Sequence, residues 1–257
     1  MKGSKELSTF FIRTGYVRLP DTLSEPILSA LEAVVDDLFA DPTPPFRVNA
    51  NSEVSRIDSI LDRDPVFLNA LRGDVVLPAL QAMLGPDIEV ARFRHNHATL
   101  NRPVDQSPRL HRDVQQWSRP ILNVFIYLEA SSAENGATLV VPGSHELPYY
   151  GPQSYGGGGA WADEYPELLH LVGQELPVPM PRGGVLLMNG LTFHSVGPNS
   201  TTGTRKSLVF ACHSSDDLIH PEKSSHFVLA GSRTFRGNAT QCISGGLELG
   251  AASDYGS

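Results

Sequence analysis

Two segments in the first third of the chain carry apolar residues at helical spacing. In residues 24–40, apolar side chains recur every three or four positions, which places them on one face of a helix. Ser24 can cap this helix, and Pro26 suits its first turn. A second helical pattern covers residues 65–84 and stops at Gly85. We expect both helices to pack on the outside of a sheet.

After the second helix the pattern changes to short β-rich runs separated by turn residues. These runs cover residues 88–93, 121–128, 137–141, 184–188 and 207–211. Helices followed by many short strands predict a mainly β protein with flanking helices, whose core is a double-stranded β-helix of the jelly-roll, cupin-like type. Residues 149–181, rich in Gly, Pro and aromatic residues, are too long for a hairpin turn, and we interpret them as an active-site lid or substrate loop.

The length of 257 residues suits one large β domain, and we expect a single domain over residues 1–257. Its predicted parts are a helical N-terminal support over about 20–86, a jelly-roll core over about 87–215 and a C-terminal extension over 216–257. Hydrophobic residues make up 40% and charged residues 19% of the chain, an ordinary globular balance that can fill a core.

Charge and cysteine content argue against several classes of partner. The formal net charge of -8 opposes binding to nucleic-acid phosphates. Cys212 and Cys242 make neither a disulfide framework nor a CxxC metal pair, which favours a reducing compartment. The first residues lack the apolar run of a secretory signal, and no segment is apolar for long enough to span a membrane. We therefore expect a cytoplasmic protein that binds neither nucleic acid nor membranes.

Three residues have the character of metal ligands. His111 and Asp113 are two positions apart, so in an extended strand their side chains point to the same face. His194 follows an apolar strand that enters a turn at Gly190. Two imidazoles and one carboxylate leave an open face on a metal and are typical of non-haem iron(II) oxygenases, although zinc accepts the same donors. We predict that His111, Asp113 and His194 hold the metal and form the catalytic centre.

Arg205 favours iron with 2-oxoglutarate over the other possibilities. It lies eleven residues after His194 at the head of the next strand, with Ser207 on the same face. A guanidinium can bind the distal carboxylate of 2-oxoglutarate in a bidentate manner, and the hydroxyl can add a further hydrogen bond. We therefore predict iron(II), 2-oxoglutarate and dioxygen as the cofactor and co-substrates.

These residues, together with residues 134–145 (ENGATLVVPGSH), resemble the phytanoyl-CoA dioxygenase family of 2-oxoglutarate oxygenases. The resemblance begins at residues 11–19, which look like the family's opening strand, and reaches about residue 215. The family places the segment 134–145 on a core strand and a tight turn beside the metal, which implies that Thr138 lies near the co-substrate. Halogenating relatives replace the metal-binding carboxylate by a small residue, so Asp113 disfavours halogenation.

Several other residues are candidates for the same region. We predict that Trp117 and Asn123 contact the co-substrate with Thr138, Arg205 and Ser207, although core packing also suits the tryptophan. His145 could line the substrate mouth or make a structural hydrogen bond. The spacing of His95 and His97 permits a rival metal pair, but no downstream carboxylate or histidine is matched to them.

The predicted function is an Fe(II)/2-oxoglutarate-dependent dioxygenase that acts on an unactivated C–H bond of a small molecule by hydroxylation or oxidative cyclisation. The family resemblance favours a secondary-metabolite intermediate, as in antibiotic biosynthesis. Stacking on sugar rings would suit four aromatic residues of the long loop, namely Tyr149, Tyr150, Tyr155 and Trp161. The alternatives are an acyl-CoA hydroxylase, a cupin-like metal-dependent hydrolase or isomerase that does not use 2-oxoglutarate, and a non-catalytic jelly-roll binding module.

Overall fold

A computed structural model describes residues 2–92, 94–103, 109–113, 121–148, 160–215 and 226–232 of the chain. Its helices are α1 (Lys2–Thr14), α2 (Glu25–Ala40), α3 (Val66–Leu71) and α4 (Val76–Leu84). Its strands are β1 (Tyr16–Arg18), β2 (Phe46–Val48), β3 (Val54–Asp58), β4 (Ile88–Ala91), β5 (His97–Asn101), β6 (His111–Arg112), β7 (Leu122–Tyr127), β8 (Thr138–Val140), β9 (Ala160–Trp161), β10 (Leu176–Val178), β11 (Val185–Asn189), β12 (His194–Val196), β13 (Arg205–Ser214) and β14 (His226–Ala230).

The strands form two antiparallel sheets. The larger sheet has the order β1-β11-β7-β13-β5-β3-β2. In addition, β4 pairs with β13 and β14 pairs with β4. The smaller sheet has the order β10-β8-β12-β6-β9. Each sequence-predicted β run contains an observed strand, and the predicted mainly β, cupin-like fold with flanking helices is confirmed.

Two apolar layers hold the sheets and helices together. The α2 residues Leu28, Leu31 and Val35 are buried with the outer face of the larger sheet. Tyr127, Val140 and other buried residues fill part of the space between the sheets. Alternation along each strand therefore sends one set of side chains to the helices and the other to the interior.

Several local predictions differ from the structure. The predicted helix 65–84 is two helices, α3 and α4, because the helix stops at Arg72 and the following Gly73 is a poor helix former. The support 20–86 is not purely helical, since β2 and β3 extend the larger sheet through β5. In the segment 11–19, residues up to Thr14 belong to α1, and only β1 is a strand.

The long loop and the C-terminal extension also contribute ordered structure. Residues 160–178 supply β9, two short 3-10 helices and β10, so this part of the predicted lid belongs to the body of the smaller sheet. Residues 149–159 lie outside the described residues. In the extension, β14 pairs with β4. None of the helices in the described ranges is long and apolar enough to cross a membrane.

Candidate metal and co-substrate site

A cavity of about 180 Å³ lies between the two sheets. The larger sheet supplies its wall through β3, β5, β7 and β13, and the smaller sheet closes it through β6, β8 and β12. The described lining residues are Arg56, His95, His97, Thr99, His111, Asp113, Phe125, Thr138, His194, Ser195, Val196, Arg205, Ser207 and Val209. Polar and ionisable side chains dominate this lining, which is unusual for space between two packed sheets.

The structure brings His111, Asp113 and His194 together at this cavity. His111 and His194 are opposite each other in the β6–β12 pair, and their ring centroids are 4.5 Å apart. Asp113 follows β6, and its carboxylate oxygens lie 3.7 Å from His111 Nε2 and 3.4 Å from His194 Nε2. One donor atom from each of the three residues lies within 4.8 Å of the others.

Backbone carbonyls fix the orientation of both imidazoles. His111 Nδ1 donates to the carbonyl of Arg109 at 2.8 Å, and His194 Nδ1 donates to the carbonyl of Thr192 at 2.9 Å. A carbonyl can only accept, so each Nδ1 carries the proton and each Nε2 presents a lone pair. Burial lowers the pKa of His194 to about 4, which keeps this imidazole neutral at physiological pH.

Asp113 is ionised and held from several sides. Burial alone would raise its pKa, but His95, His194 and His111 outweigh burial and keep the pKa well below the usual range. Asn123 Nδ2 donates to Asp113 Oδ2 at 2.6 Å, and His95 Nε2 lies 3.2 Å from Oδ1. Arg94 donates to the backbone carbonyl of Asp113. The carboxylate is therefore fixed in position before any ligand arrives.

Arg205 and Ser207 lie at the end of the cavity that β5 and β13 form. Arg205 is only 3% exposed, its Nη1 donates to Ser207 Oγ at 3.1 Å, and its guanidinium lies 5.6 Å from the centre of the Tyr127 ring. Ser207 Oγ also bonds Thr99 Oγ1 at 2.8 Å. Burial lowers the pKa of Arg205. An arginine guanidinium nevertheless stays charged in proteins.

The other predicted site residues have different positions. Thr138 lines the cavity, and its hydroxyl bonds the Tyr127 hydroxyl at 2.6 Å. Asn123 donates a hydrogen bond to the Asp113 carboxylate and is not among the described lining residues; its contact with the co-substrate stays a prediction. Trp117 lies outside the described residues. His145 makes a structural hydrogen bond, since its Nε2 meets the Ile12 carbonyl at 2.9 Å.

Sequence reasoning missed four residues of the site. Arg56, Thr99 and Tyr127 have no local motif. Arg56 and Thr99 line the cavity with Arg205, and Tyr127 lies beside its guanidinium, only because β3, β5, β13 and β7 are neighbours in one sheet. His95 was predicted only as half of a rival metal pair, whereas it contacts Asp113 at the main cavity. In the sequence, the spacing of His95 and His97 was the one signal that drew attention to His95.

The model of the phytanoyl-CoA dioxygenase family matches residues 11–207. The chain belongs to the phytanoyl-CoA dioxygenase family. Membership confirms the family predicted from the sequence. A curated relative is the multifunctional dioxygenase ausE of Aspergillus calidoustus, which is 27% identical over 177 residues. That match covers 63% of this chain and 56% of ausE, so the chain spans little more than half of that relative.

Two solved structures share the fold at low sequence identity. The epimerase SnoN, in complex with Fe3+, alpha ketoglutarate and nogalamycin RO, has a TM-score of 0.70 and 18% identity, and the match covers 84% of this chain and 85% of SnoN. The non-heme alpha ketoglutarate dependent carbocyclase SnoK from nogalamycin biosynthesis has a TM-score of 0.67 and 19% identity, with coverages of 82% and 84%.

Proposed function

We propose that this protein is an Fe(II)/2-oxoglutarate-dependent dioxygenase that oxidises an unactivated C–H bond of a natural-product intermediate. One observation carries the proposal: a His-Asp-His donor set and a buried arginine line a single cavity. The donor set alone suits several metals and reactions, but the arginine adds a site for an anionic co-substrate.

The three donors fit a divalent metal. Two lone pairs from His111 and His194 and one carboxylate from Asp113 converge, and the hydrogen bonds behind them fix their orientation. A 2-His-1-carboxylate set occupies one face of a metal and leaves the opposite face for other ligands, which is the arrangement typical of iron(II) oxygenases. Asn123 would keep the carboxylate oriented through its 2.6 Å hydrogen bond.

The other end of the cavity fits a carboxylate. Among the described residues no carboxylate forms an ion pair with Arg205, and its Nε has no hydrogen-bond partner. A buried cation without an anion is costly, and the distal carboxylate of 2-oxoglutarate would remove that cost. Ser207 and Thr99 would add hydroxyl groups. Arg56, whose Nε is bound to Asp58 at 2.6 Å, places a second positive charge on the cavity wall.

Iron with 2-oxoglutarate, when bound, would supply the activation of dioxygen and the oxidising power of the reaction. The protein's own residues would place the reactants and exclude water. Phe125 lies edge-on to His194, with ring centres 6.5 Å apart, and shields this imidazole from the solvent. The substrate would approach from the side of His111, the more exposed of the two imidazoles.

A flat, ring-containing natural product suits the entrance. Trp161 is opposite His111 in the β6–β9 pair and is 36% exposed, so its ring offers a stacking surface next to the proposed metal. Tyr149, Tyr150 and Tyr155 of the same loop lie outside the described residues. SnoK is a carbocyclase, which supports ring closure as an alternative to hydroxylation here. The cytoplasmic location stays a prediction from the cysteine content.

The test is an anaerobic titration of the purified protein with iron(II) and 2-oxoglutarate, followed by its visible charge-transfer absorption. We expect a band for the wild type, no band for His194→Ala and a strongly weakened 2-oxoglutarate dependence for Arg205→Ala. Lys206→Ala is the matched control, because Lys206 is the next residue on β13 but forms an ion pair with Asp36 at the surface. It should leave the band unchanged.

The outcomes separate the alternatives. Iron that binds without producing a band would contradict the use of 2-oxoglutarate and favour a metal-dependent hydrolase or isomerase. A protein that binds no metal at all would favour a binding module. If the band forms, consumption of 2-oxoglutarate in the presence of candidate ring-containing compounds becomes the search for the substrate.

A further inference from the structure

A second group of metal-binding side chains lies outside the cavity. It consists of Glu89 on β4, His213 on β13 and His226 on β14, and one donor atom from each lies within 4.8 Å of the others. Glu89 and His213 are buried, with 7% and 3% of their surface exposed, and His226 is half-buried. Buried histidines beside a buried carboxylate are uncommon without a ligand or a polar network.

Sheet register explains why the three side chains meet. His213 is directly opposite Glu89, so both point to the same face of the sheet. His226 is opposite Ala91, two residues from Glu89 and therefore on that face as well. The group shares no residue with the described lining of the cavity, although His213 is only four residues along β13 from Val209, which lines it. It is separate from the centre around His111.

Hydrogen bonding prepares His213 as a ligand. Its Nδ1 donates to the Ser214 carbonyl at 2.8 Å, which leaves a lone pair on Nε2. That lone pair faces His226 Nδ1 at 3.3 Å and Glu89 Oε2 at 3.9 Å. The distance from His213 Nε2 to Glu89 Oε2 is longer than a hydrogen bond, so these two atoms are not hydrogen-bonded to each other.

The distances match the size of a bound ion. Two imidazole nitrogens bound to one zinc ion at about 2.0–2.1 Å and a tetrahedral angle lie about 3.4 Å apart. The observed separation of His213 Nε2 and His226 Nδ1 is 3.3 Å. The Glu89 carboxylate lies 3.9 Å from His213 Nε2, and rotation of the glutamate side chain can bring it closer to complete the donor set.

We propose that Glu89, His213 and His226 form a second divalent-metal site, of the zinc type, that joins β14 to β4 and β13. Two imidazoles and one carboxylate bind zinc well, with a water or another side chain as fourth ligand. The ion ties the C-terminal extension to the oxygenase core. Its role is structural, because none of the three residues is among the described residues that line the cavity of the proposed catalytic metal.

Other contacts hold β14 in place without the ion, which makes the proposal testable by substitution. Arg72 Nη2 donates to the Val228 carbonyl at 2.6 Å, and the Arg92 guanidinium lies 5.4 Å from the centre of the Phe227 ring. The backbone N–H of Ser232 donates to Asp87 at 2.9 Å. Replacing the half-buried His226 should therefore leave the strand folded.

The experiment is a titration of the metal-free full chain with cobalt(II), whose visible spectrum reports coordination geometry. The starting protein is the double variant His111→Ala/His194→Ala, which lacks the proposed catalytic centre. To it are added, one at a time, His226→Ala, Glu89→Gln and the control Val228→Ala, an exposed residue of the same strand. Circular dichroism verifies folding, and the rise in Tm on adding zinc(II) is the second measurement.

We expect the double variant and its Val228→Ala derivative to bind about one equivalent of cobalt, with visible bands of a four- or five-coordinate ion and a higher Tm in zinc. His226→Ala and Glu89→Gln should each weaken binding roughly tenfold or more and abolish the Tm rise. Absence of cobalt binding by the double variant, or binding that both substitutions leave intact, would overturn the proposal and identify the group as a hydrogen-bonded network only.

Discussion

At the scale of single residues, the site depends on how Asp113 is held. Its carboxylate is buried among three imidazoles, and Asn123 supplies the amide hydrogen bond at 2.6 Å. An ionised carboxylate needs such partners in a buried position, and each of them also restricts its direction. Asn123 therefore orients a metal ligand, although it is not in the described lining of the cavity.

Asn123→Ala should weaken iron(II) binding about 10- to 100-fold, because the carboxylate loses the bond that aims it at the metal. An anaerobic competition against a coloured chelator measures this affinity. Asn199→Ala is the control, since this asparagine is also buried but its amide donates to the Gly203 carbonyl at 2.8 Å. Equal losses of affinity in both variants would contradict a specific role for Asn123.

The pKa of His194 predicts how the stability of the metal-free protein depends on pH. Burial lowers this pKa from 6.5 to about 4, so between these values the unfolded chain binds a proton that the folded protein does not. Stability should therefore fall as pH decreases from 6.5 towards 4, and His194 alone should contribute about 3 kcal/mol to this fall.

Urea unfolding at a series of pH values, with metal removed, measures this dependence. His194→Gln should reduce the slope but not abolish it, because burial also keeps the pKa of His97 well below its usual value. If the free energy of unfolding of the wild type were constant between pH 6.5 and 4, the folded and unfolded protein would bind equal numbers of protons, and His194 would not be held neutral by burial.

At the scale of elements, β13 and the turn before β8 position most of the site. β13 pairs with β7 on one side and with β5 and β4 on the other, and it carries Arg205 and Ser207 towards the cavity. The turn before β8 contains Gly136 at φ +87, and a Cβ there would lie 2.8 Å from the Gly197 carbonyl and would collide with Asn101. Only glycine suits that backbone and that space.

Gly136→Ala should destabilise the protein by about 2 kcal/mol or more, from the left-handed backbone and the displaced neighbours together. Thermal and urea unfolding measure the change. Gly203→Ala is the matched control, because a Cβ at Gly203 meets nothing within 4 Å. If the two substitutions had the same effect, the close approach of Gly136 to its neighbours would not matter for stability.

At the scale of the whole molecule, the cavity lies between the two sheets. A ligand bound there contacts both sheets and should therefore stabilise the entire fold. A ligand at about 100 times its Kd adds about 2.7 kcal/mol. For a protein of this size that is roughly 5–10 °C in Tm. We expect manganese(II), as a redox-inert substitute for iron, to raise Tm and 2-oxoglutarate to raise it further.

Arg205→Ala should retain the increment from manganese and lose the increment from 2-oxoglutarate, because only the second ligand needs the guanidinium. Differential scanning calorimetry with each ligand alone and with both measures the two increments. An undiminished response of Arg205→Ala to 2-oxoglutarate would place the co-substrate carboxylate elsewhere, with Arg56 the next cation on the cavity wall.

The sequence alone determined the features that depend on local patterns. The apolar stripe of α2, the β runs and the turn glycines follow from spacing and residue type, and the HxD motif with a later histidine and Arg205 predicted the residues that meet at the cavity. The family resemblance rested on the same short segments. The break between α3 and α4 was missed because one glycine inside an apolar pattern does not say whether tertiary contacts will keep the helix continuous.

Only the tertiary structure decided which residues that are distant in the sequence lie side by side in the cavity or in the second metal-binding group. Arg56 reaches the cavity because β3 pairs with β5, and His226 meets Glu89 because β14 returns to β4 across a long stretch of chain. Such pairings depend on sheet order and register, which arise from packing of the whole core and leave no periodic signal in the sequence. The cavity itself is therefore a property of the folded sheets, while its chemistry was already present in the order of the residues.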